Sequence, residues 1–414
     1  LGADPLLSGN VDLTAVLIVL MKVGIAFAFL LVAVMLMIWF ERKLISDMQN
    51  RIGPSVAGPW GILQTLADGI KLFFKEDLIP NRSDRFVFKL APYLSLVPAF
   101  LVFAIVPIGG DFRDGKEGIV TWFGRETLVQ VADPPIGILF FLAMSSIAVY
   151  GVMLAGWSSG SKYPLLGAVR SSAQMISYEA ALGLSIATVF LMSGTLSTNG
   201  IVADQSTWNW NLVTTGVVPF IIFVIAGTAE LNRPPFDLVE AEQELVGGFH
   251  TEYSGFRFAM FFLAEYINMF NMCAITATFF LGGWLGPTFE GILPPIFSVI
   301  MPIIWLGIKT FLLLFVFVWI RATLPRLRYD QLMELHYAGT FAHVADVTVK
   351  LAAKIATLAP GSLTATTFGG SGSEANENSF KFAREYHIHK KTKPYARKII
   401  SRWNAYHGAT LGAI

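Results

Sequence analysis

The sequence predicts an all-α polytopic membrane protein, and three observations carry that prediction. Apolar residues make up 54% of the 414-residue chain and charged residues only 14%, where a soluble globular chain carries about 25% charged residues. Seven runs of roughly the length a helix needs to cross a bilayer hold at most one charge each. Lys and Arg collect in alternate connecting segments, 15 on one side against three on the other, as the positive-inside rule expects of a multi-pass bundle.

The seven spans are expected near residues 13–40, 90–108, 136–156, 175–192, 213–229, 258–284 and 301–320. The first is too long for the apolar stretch of a signal peptide and has no small-residue cleavage site after it, so it reads as a span. Ile292–Ile300 is also apolar, but Pro294, Pro295 and Pro302 interrupt helical continuity, and the stretch reads as an interfacial lead-in. The basic segments are 41–89, 157–174, 230–257 and 321–336, whereas the opposite side carries only Arg113, Lys116 and Arg125. This places the N-terminus outside and the C-terminal tail in the cytoplasm. Within one basic segment, Ile62, Leu63, Leu66, Ile70, Phe73 and Phe74 recur at helical spacing while Asp68, Lys71 and Lys75 share the other face. Such a helix over 60–76 lies in the headgroup plane, either as a surface anchor or as the prop of a lateral entrance for a lipid-soluble ligand.

Ionisable residues inside apolar runs are the first chemical signal, since each costs about 2.5–3.5 kcal/mol at mid-bilayer on insertion scales. Glu179, Glu265 and Lys309 fall inside spans and Glu230 ends one. A single Lys–Glu pair would merely lock two helices, but four positions on different spans point to a proton path or ion site. The second signal is the acidic segment 230–257, with Glu230, Asp237, Glu240, Glu242, Glu244 and Glu252 against Arg233 and Arg257. Like charges that close raise one another's pKa and make proton exchange near neutrality possible. A solvated acidic face for a basic partner is the plainer reading, although the apolar residues threaded through it argue for packing. Glu41, Arg42, Lys43, Arg51, Arg321, Arg326, Arg328 and Asp330 flank the first and last spans, where topological charge explains most of them. The single cysteine, Cys273, excludes an intrachain disulfide or a cysteine-based cluster, so iron–sulfur or zinc chemistry has to belong to a partner. Neither a phosphate-binding P-loop nor a dinucleotide GxGxxG fingerprint is present.

Six segments carry a resemblance: FERKLISDMQNRIGP (40–54), GILQTLADGIKLFFKED (61–77), GWSSGSKYPLLGAVRSSAQMISYE (156–179), AELNRPPFDLVEAEQELVGGFHTEYSG (229–255), FFLAEYIN (261–268) and LPRLRYDQLM (324–333). From the first span to about Leu335 the chain resembles the H subunit of the proton-pumping NADH:quinone oxidoreductase, respiratory complex I. The resemblance implies a subunit of the bacterial inner membrane that forms the quinone-binding chamber with the hydrophilic arm. Its implied partners are the iron–sulfur subunits of that arm, the other membrane subunits, lipid, and ubiquinone or menaquinone as substrate, with no nucleic acid. No iron–sulfur cluster, FMN or metal is implied in this chain. Glu179, Glu230 and Glu265 match carboxylates that start the proton path; Asp237, Glu240, Glu242 and Glu244 match acids of the quinone loop. Arg42, Asp68 and Arg233 match residues of the chamber. Val239 and Gln243 depart in a minor way from the bacterial pattern, which more often has Pro and a small residue there.

The end of the chain departs further. The family continues after LPRLRYDQLM with a Gly-Trp turn into another apolar span, whereas from His336 onward this chain is polar and basic. FGGSGSEANENSFKFAREYH (368–387) and IISRWNAYHGATLGA (399–413) resemble class III pyridoxal-phosphate aminotransferases. That resemblance assigns Gly372, Ser373 and Glu374 to a phosphate-binding helix start and Tyr406 and His407 to the ring-stacking motif. The Asp and Schiff-base Lys that such an enzyme needs come later in that family, so pyridoxal phosphate is not expected to bind. Residues from about 336 to 414 are expected to be an inactive fragment joined through a frameshift, a misassembly or a chimeric gene assignment. Two other functional classes stay in view: a membrane subunit of a related energy-converting hydrogenase, and a stand-alone proton or ion carrier.

Overall fold

The computed structural model describes residues 4–7, 12–111, 118–206, 209–237, 245–287 and 296–327, together with Ser379, Tyr386 and Lys390. The chain divides into two compact units, Leu1–Tyr329 and Asp330–Ile414. In the second unit the Lys390 N–H donates to the Tyr386 carbonyl at 2.9 Å, the spacing of one helical turn.

The first unit is a helical bundle. Its elements are α1 (Leu13–Met48), α2 (Gln64–Phe74), α3 (Arg85–Phe103), a hairpin of β1 (Ile119–Trp122) and β2 (Arg125–Leu128), α4 (Gly137–Ser158), α5 (Lys162–Ser193), α6 (Thr198–Asp204), α7 (Asn211–Thr214), α8 (Val217–Glu230), α9 (Gly255–Phe280) and α10 (Ile296–Thr323). Among the described residues six helices, α1, α3, α4, α5, α9 and α10, are long and apolar enough to cross a membrane. The remaining expected span, the fifth in chain order, forms α8, which has only 14 residues and reaches about 21 Å, short of a hydrocarbon core of about 30 Å. In sequence order α3 packs on α4, α4 on α5 and α5 on α8, while α9 runs against α3, α10 and α1. One large core of buried side chains from α1, α3, α4, α5, α8, α9 and α10 joins them.

Several ends differ from expectation, each for a local reason. The first helix does not stop at Phe40 but continues through Glu41 and Arg42 to Met48, because a polar face does not break a helix that has packing partners. The second begins at Arg85, where the Asp84 carboxylate accepts the N–H groups of Phe86 and Val87, and ends at Phe103 rather than Ile108. Beyond it Pro107 has no N–H and disfavours helix at the preceding residue, and the Ile108 N–H turns to Val129 at 3.0 Å. The fourth starts at Lys162, well before residue 175. Pro302 lies inside α10, so the helix tolerates it where the sequence suggests a break; the other lead-in prolines fall outside the described residues. Nothing in the hydropathy pattern anticipates the hairpin. Its register pairs Trp122 with Arg125, and the two-residue turn places both Phe123 and Gly124 at positive φ, the geometry that suits the twist of a hairpin.

The interfacial helix is shorter than predicted. A 3-10 turn at Pro59–Gly61 precedes it, with Trp60 at positive φ, and α2 then exposes Leu66, Ile70, Phe73 and Phe74.

Candidate functional site

The extension of α1 decides where its charges go. Consecutive helical residues point about 100° apart, so Glu41 turns inward, 3% exposed, while Arg42 turns to the surface and pairs with Asp68 on α2 at 2.6 Å. Gln64 donates to the other Asp68 oxygen at 3.1 Å. Arg42 and Asp68 are thus brought together at the mouth of the site.

Behind them lies a ladder of alternating charge. Arg321 near the end of α10 donates to Glu41 Oε1, and the Tyr266 hydroxyl donates to Glu41 Oε2 at 2.8 Å. Arg233 stands 3.5 Å from Glu41 and 2.8 Å from Glu265, with its guanidinium 4.5 Å from the centre of the Tyr266 ring. Burial works against the Arg233 charge, but Glu265, Tyr266 and Glu41 outweigh it and raise its pKa above the ordinary arginine value, so the cation persists. Its position is set by the turn after α8. Gln174 on α5 donates to Ala229 O at 2.7 Å, Asn232 Oδ1 at 3.2 Å and Phe236 O at 2.9 Å, and the Leu327 N–H closes the turn from the far side on Pro235 O at 2.9 Å.

Two cavities meet at this ladder. The outer one, about 500 Å³, is lined by Glu41, Arg42, Arg51, Arg233, Glu265 and Arg321, with Phe262 and Tyr266. The inner one, about 110 Å³, is lined by Ser95, Ser145, Glu230, His250, Glu265 and Asn271, again with Phe262. Glu265 and Phe262 therefore face both. Farther in, consecutive hydroxyls of α4 hold two carboxylates: Ser145 donates to Glu230 and Ser146 to Glu179. Glu179, Glu230 and Glu265 thus lie in one neighbourhood although they come from α5, α8 and α9.

Asp237 follows the Arg233 turn. Glu240, Glu242, Glu244, Gly372, Ser373, Glu374, Tyr406 and His407 lie outside the described residues. Among the described residues no group of three or more His, Cys, Asp or Glu side chains gathers to hold a metal ion. Among the described residues Lys309 pairs with no acid. Its ammonium donates to the carbonyls of Leu281, Gly283 and Leu285 at 2.6, 2.9 and 2.6 Å, beyond the other end of α9.

Sequence reasoning assigns Glu41 and Arg321 to topological charge and passes over Tyr266. The available signal is Glu41 itself, an acid within a run of bases directly after an apolar span.

Residues 21–349 match the family model described as NADH dehydrogenase. The chain belongs to that family. The NADH-quinone oxidoreductase H subunit of Frankia alni is 54% identical over 331 residues, 80% of this chain and 71% of that protein. The H subunit of Streptomyces avermitilis is 48% identical over 346 residues, 82% and 74% of the two chains. The second H subunit of Geobacter metallireducens is 51% identical over 318 residues, 76% and 89%. As a member of the NADH dehydrogenase family the chain is a subunit of an oxidoreductase complex, and its apolar helices make it a membrane protein. Residues 328–414 match a second model, described as aminotransferase class-III, so the two matches overlap over 328–349.

Proposed function

We propose that this subunit forms the membrane wall of a quinone-binding chamber in NADH:quinone oxidoreductase and couples quinone reduction to proton translocation through a chain of carboxylates. The observation that carries the reading is that Glu265 lines both cavities. On its outer side stand four arginines, Arg42, Arg51, Arg233 and Arg321, suited to a polar quinone headgroup and to the negative charge that builds on it during reduction. On its inner side stand Glu230 and, through Ser145 and Ser146 on one helix, Glu179. Electrons come from iron–sulfur subunits of the hydrophilic arm, which docks against the basic face. Ubiquinone or menaquinone enters beside α2, whose exposed Leu66, Ile70 and Phe73 sit in lipid next to the Arg42–Asp68 pair.

Reduction of a quinone takes up two protons. The carboxylate array answers that change in local charge by shifting its own protons, as coupled sites in a water-poor environment do. We place the protein in the bacterial cytoplasmic membrane with its N-terminus outside and its tail in the cytoplasm, on the Lys and Arg asymmetry. The tail from about residue 336 we read as a joined fragment that adds no activity.

Glu265→Gln tests the coupling role. In complexes that still co-purify with their partner subunits, quinone-reductase turnover should fall on the order of 100-fold, the scale of losing a positioned proton-transfer group. Normal turnover in an assembled mutant would sink the reading.

A further inference from the structure

His250 lines the inner cavity with Glu230 and Glu265. It closes a 3-10 turn, Gly248–His250, that is fastened on every side. Gly248 lies against Gly167 of α5 so closely that a Cβ on Gly167 would come within 2.9 Å of the Gly248 Cα. The Thr251 hydroxyl donates to Gly248 O at 2.7 Å and the Tyr253 N–H to His250 O at 3.0 Å. Tyr253 in turn stacks on Phe88 at 4.0 Å and donates its hydroxyl to Phe88 O at 3.0 Å. The imidazole meets Phe249 at 4.9 Å and Phe258 at 5.3 Å, both edge-on. A rigid turn with an aromatic collar holds one titratable ring at the cavity wall.

That cavity is built for water. Ser95, Glu230 and Asn271 line it, and their Oγ, Oε2 and Oδ1 atoms are buried and have no hydrogen-bond partner among the described residues. Buried polar atoms of this kind are satisfied by internal water, and about 110 Å³ has room for several molecules.

We propose that His250 is a proton-exchanging residue of this cavity, linking Asp237, whose charge acts on the ring, to Glu265 and Glu230, which line the cavity with it. The inference rests on the carboxylate path above and adds to it a member that is not a carboxylate. The ring accepts one proton from the loop side and gives one to Glu265 or Glu230 through cavity water. It ends neutral, and no other bond changes. The charged groups that act on it are Glu265 on α9 and Asp237 after the Arg233 turn, while Glu230 at the end of α8 lines the same cavity. Burial lowers the imidazole pKa, and the charges of Glu265 and Asp237 work in the opposite direction. The ring is therefore mostly neutral near pH 7 and able to take a proton that arrives.

The test uses the assembled complex in membrane vesicles with His250→Asn and His250→Gln, whose amides mimic the two ring nitrogens without titrating. NADH-driven quinone reduction and proton translocation are measured from pH 5 to 9, beside Glu265→Gln. We expect both His250 variants to assemble, to lose on the order of 10-fold in coupled turnover, and to lose the acid limb of the native pH profile. Native turnover in either variant, a fall in turnover with the native pH profile retained, or failure of both variants to assemble would assign His250 to packing and overturn the proposal. Should Glu265→Gln remain fully active, the carboxylate path itself fails, a result separate from any His250 outcome.

Discussion

Just beyond the C-terminal end of α9, Lys309 gives all three of its N–H donors to the backbone carbonyls of Leu281, Gly283 and Leu285; in the other half of the helix, Arg233 shares its charge among Glu41, Glu265 and the Tyr266 ring. Both cations are buried, 8% and 6% exposed. The Lys309 end has partners that neither titrate nor move. It also closes a helix end, where carbonyls have no partner in the helix and no water in a bilayer. Gln205 and Asn211 complete that closure, Gln205 Nε2 donating to Thr278 O at 3.0 Å and Asn211 Nδ2 to Phe279 O at 2.9 Å. The Arg233 end has carboxylate and phenol partners, two adjoining cavities, and buried oxygens that have no partner among the described residues. A charge held by fixed dipoles is a lock, and a charge held by carboxylates beside water is a site.

The contrast predicts unequal consequences. The largest belongs to Arg233→Met, which leaves Glu41 and Glu265 facing each other without their shared cation. Removing one partner of a buried ion pair costs about 3–5 kcal/mol, so both the thermal midpoint and quinone turnover of the detergent-solubilised complex should fall. Retention of either would show that the ladder is dispensable.

An intermediate effect is expected from Lys309→Met. Each carbonyl left without a donor costs about 1–3 kcal/mol, so the thermal midpoint should drop. The complexes that survive should turn over quinone near the native rate, and Lys309→Arg should recover part of the lost stability. Strong loss of turnover with unchanged stability would move Lys309 from lock to site.

Tyr253→Phe should do least. It removes one hydrogen bond to Phe88 O, worth about 1 kcal/mol, and leaves the ring stack and the activity in place. Burial pushes the Tyr253 phenol up from 10.0 to about 12, against smaller opposing effects of Ser158 and Arg257. The sign follows: a raised folded pKa gives stability that is constant below pH 10 and lost as pH climbs towards 12. Thermal melts of native and Tyr253→Phe complexes across that window should show a larger alkaline loss in the native protein than in the variant.

Much of the bundle is legible because apolar length is a property of the chain itself. Six of the seven runs form helices long enough to cross a bilayer, and the remaining one forms the shorter α8. Their ends are harder to read. Polar residues such as Arg170 and Gln174 look like loop in a hydropathy scan but continue α5, since packing against α8 outweighs their polarity. Of the site, Glu179, Glu230 and Glu265 are visible as acids in or at the end of apolar runs. Glu41, Arg321 and His250 are not, because a charge beside a span looks the same whether it faces water or a partner.

Composition and the alternation of basic segments determined by themselves that this is a multi-pass membrane chain, because the bilayer penalises charge residue by residue wherever the residue sits in the fold. The resemblance of ordered motifs determined the family. Only the tertiary structure decided that Arg233 joins Glu41 to Glu265, that Lys309 serves a helix end instead of an acid, and that one carboxylate faces two cavities. Those pairings join residues far apart in the chain, from Glu41 to Arg321. Burial and distance, the quantities that set the behaviour of an ionisable group, exist only once the helices have packed.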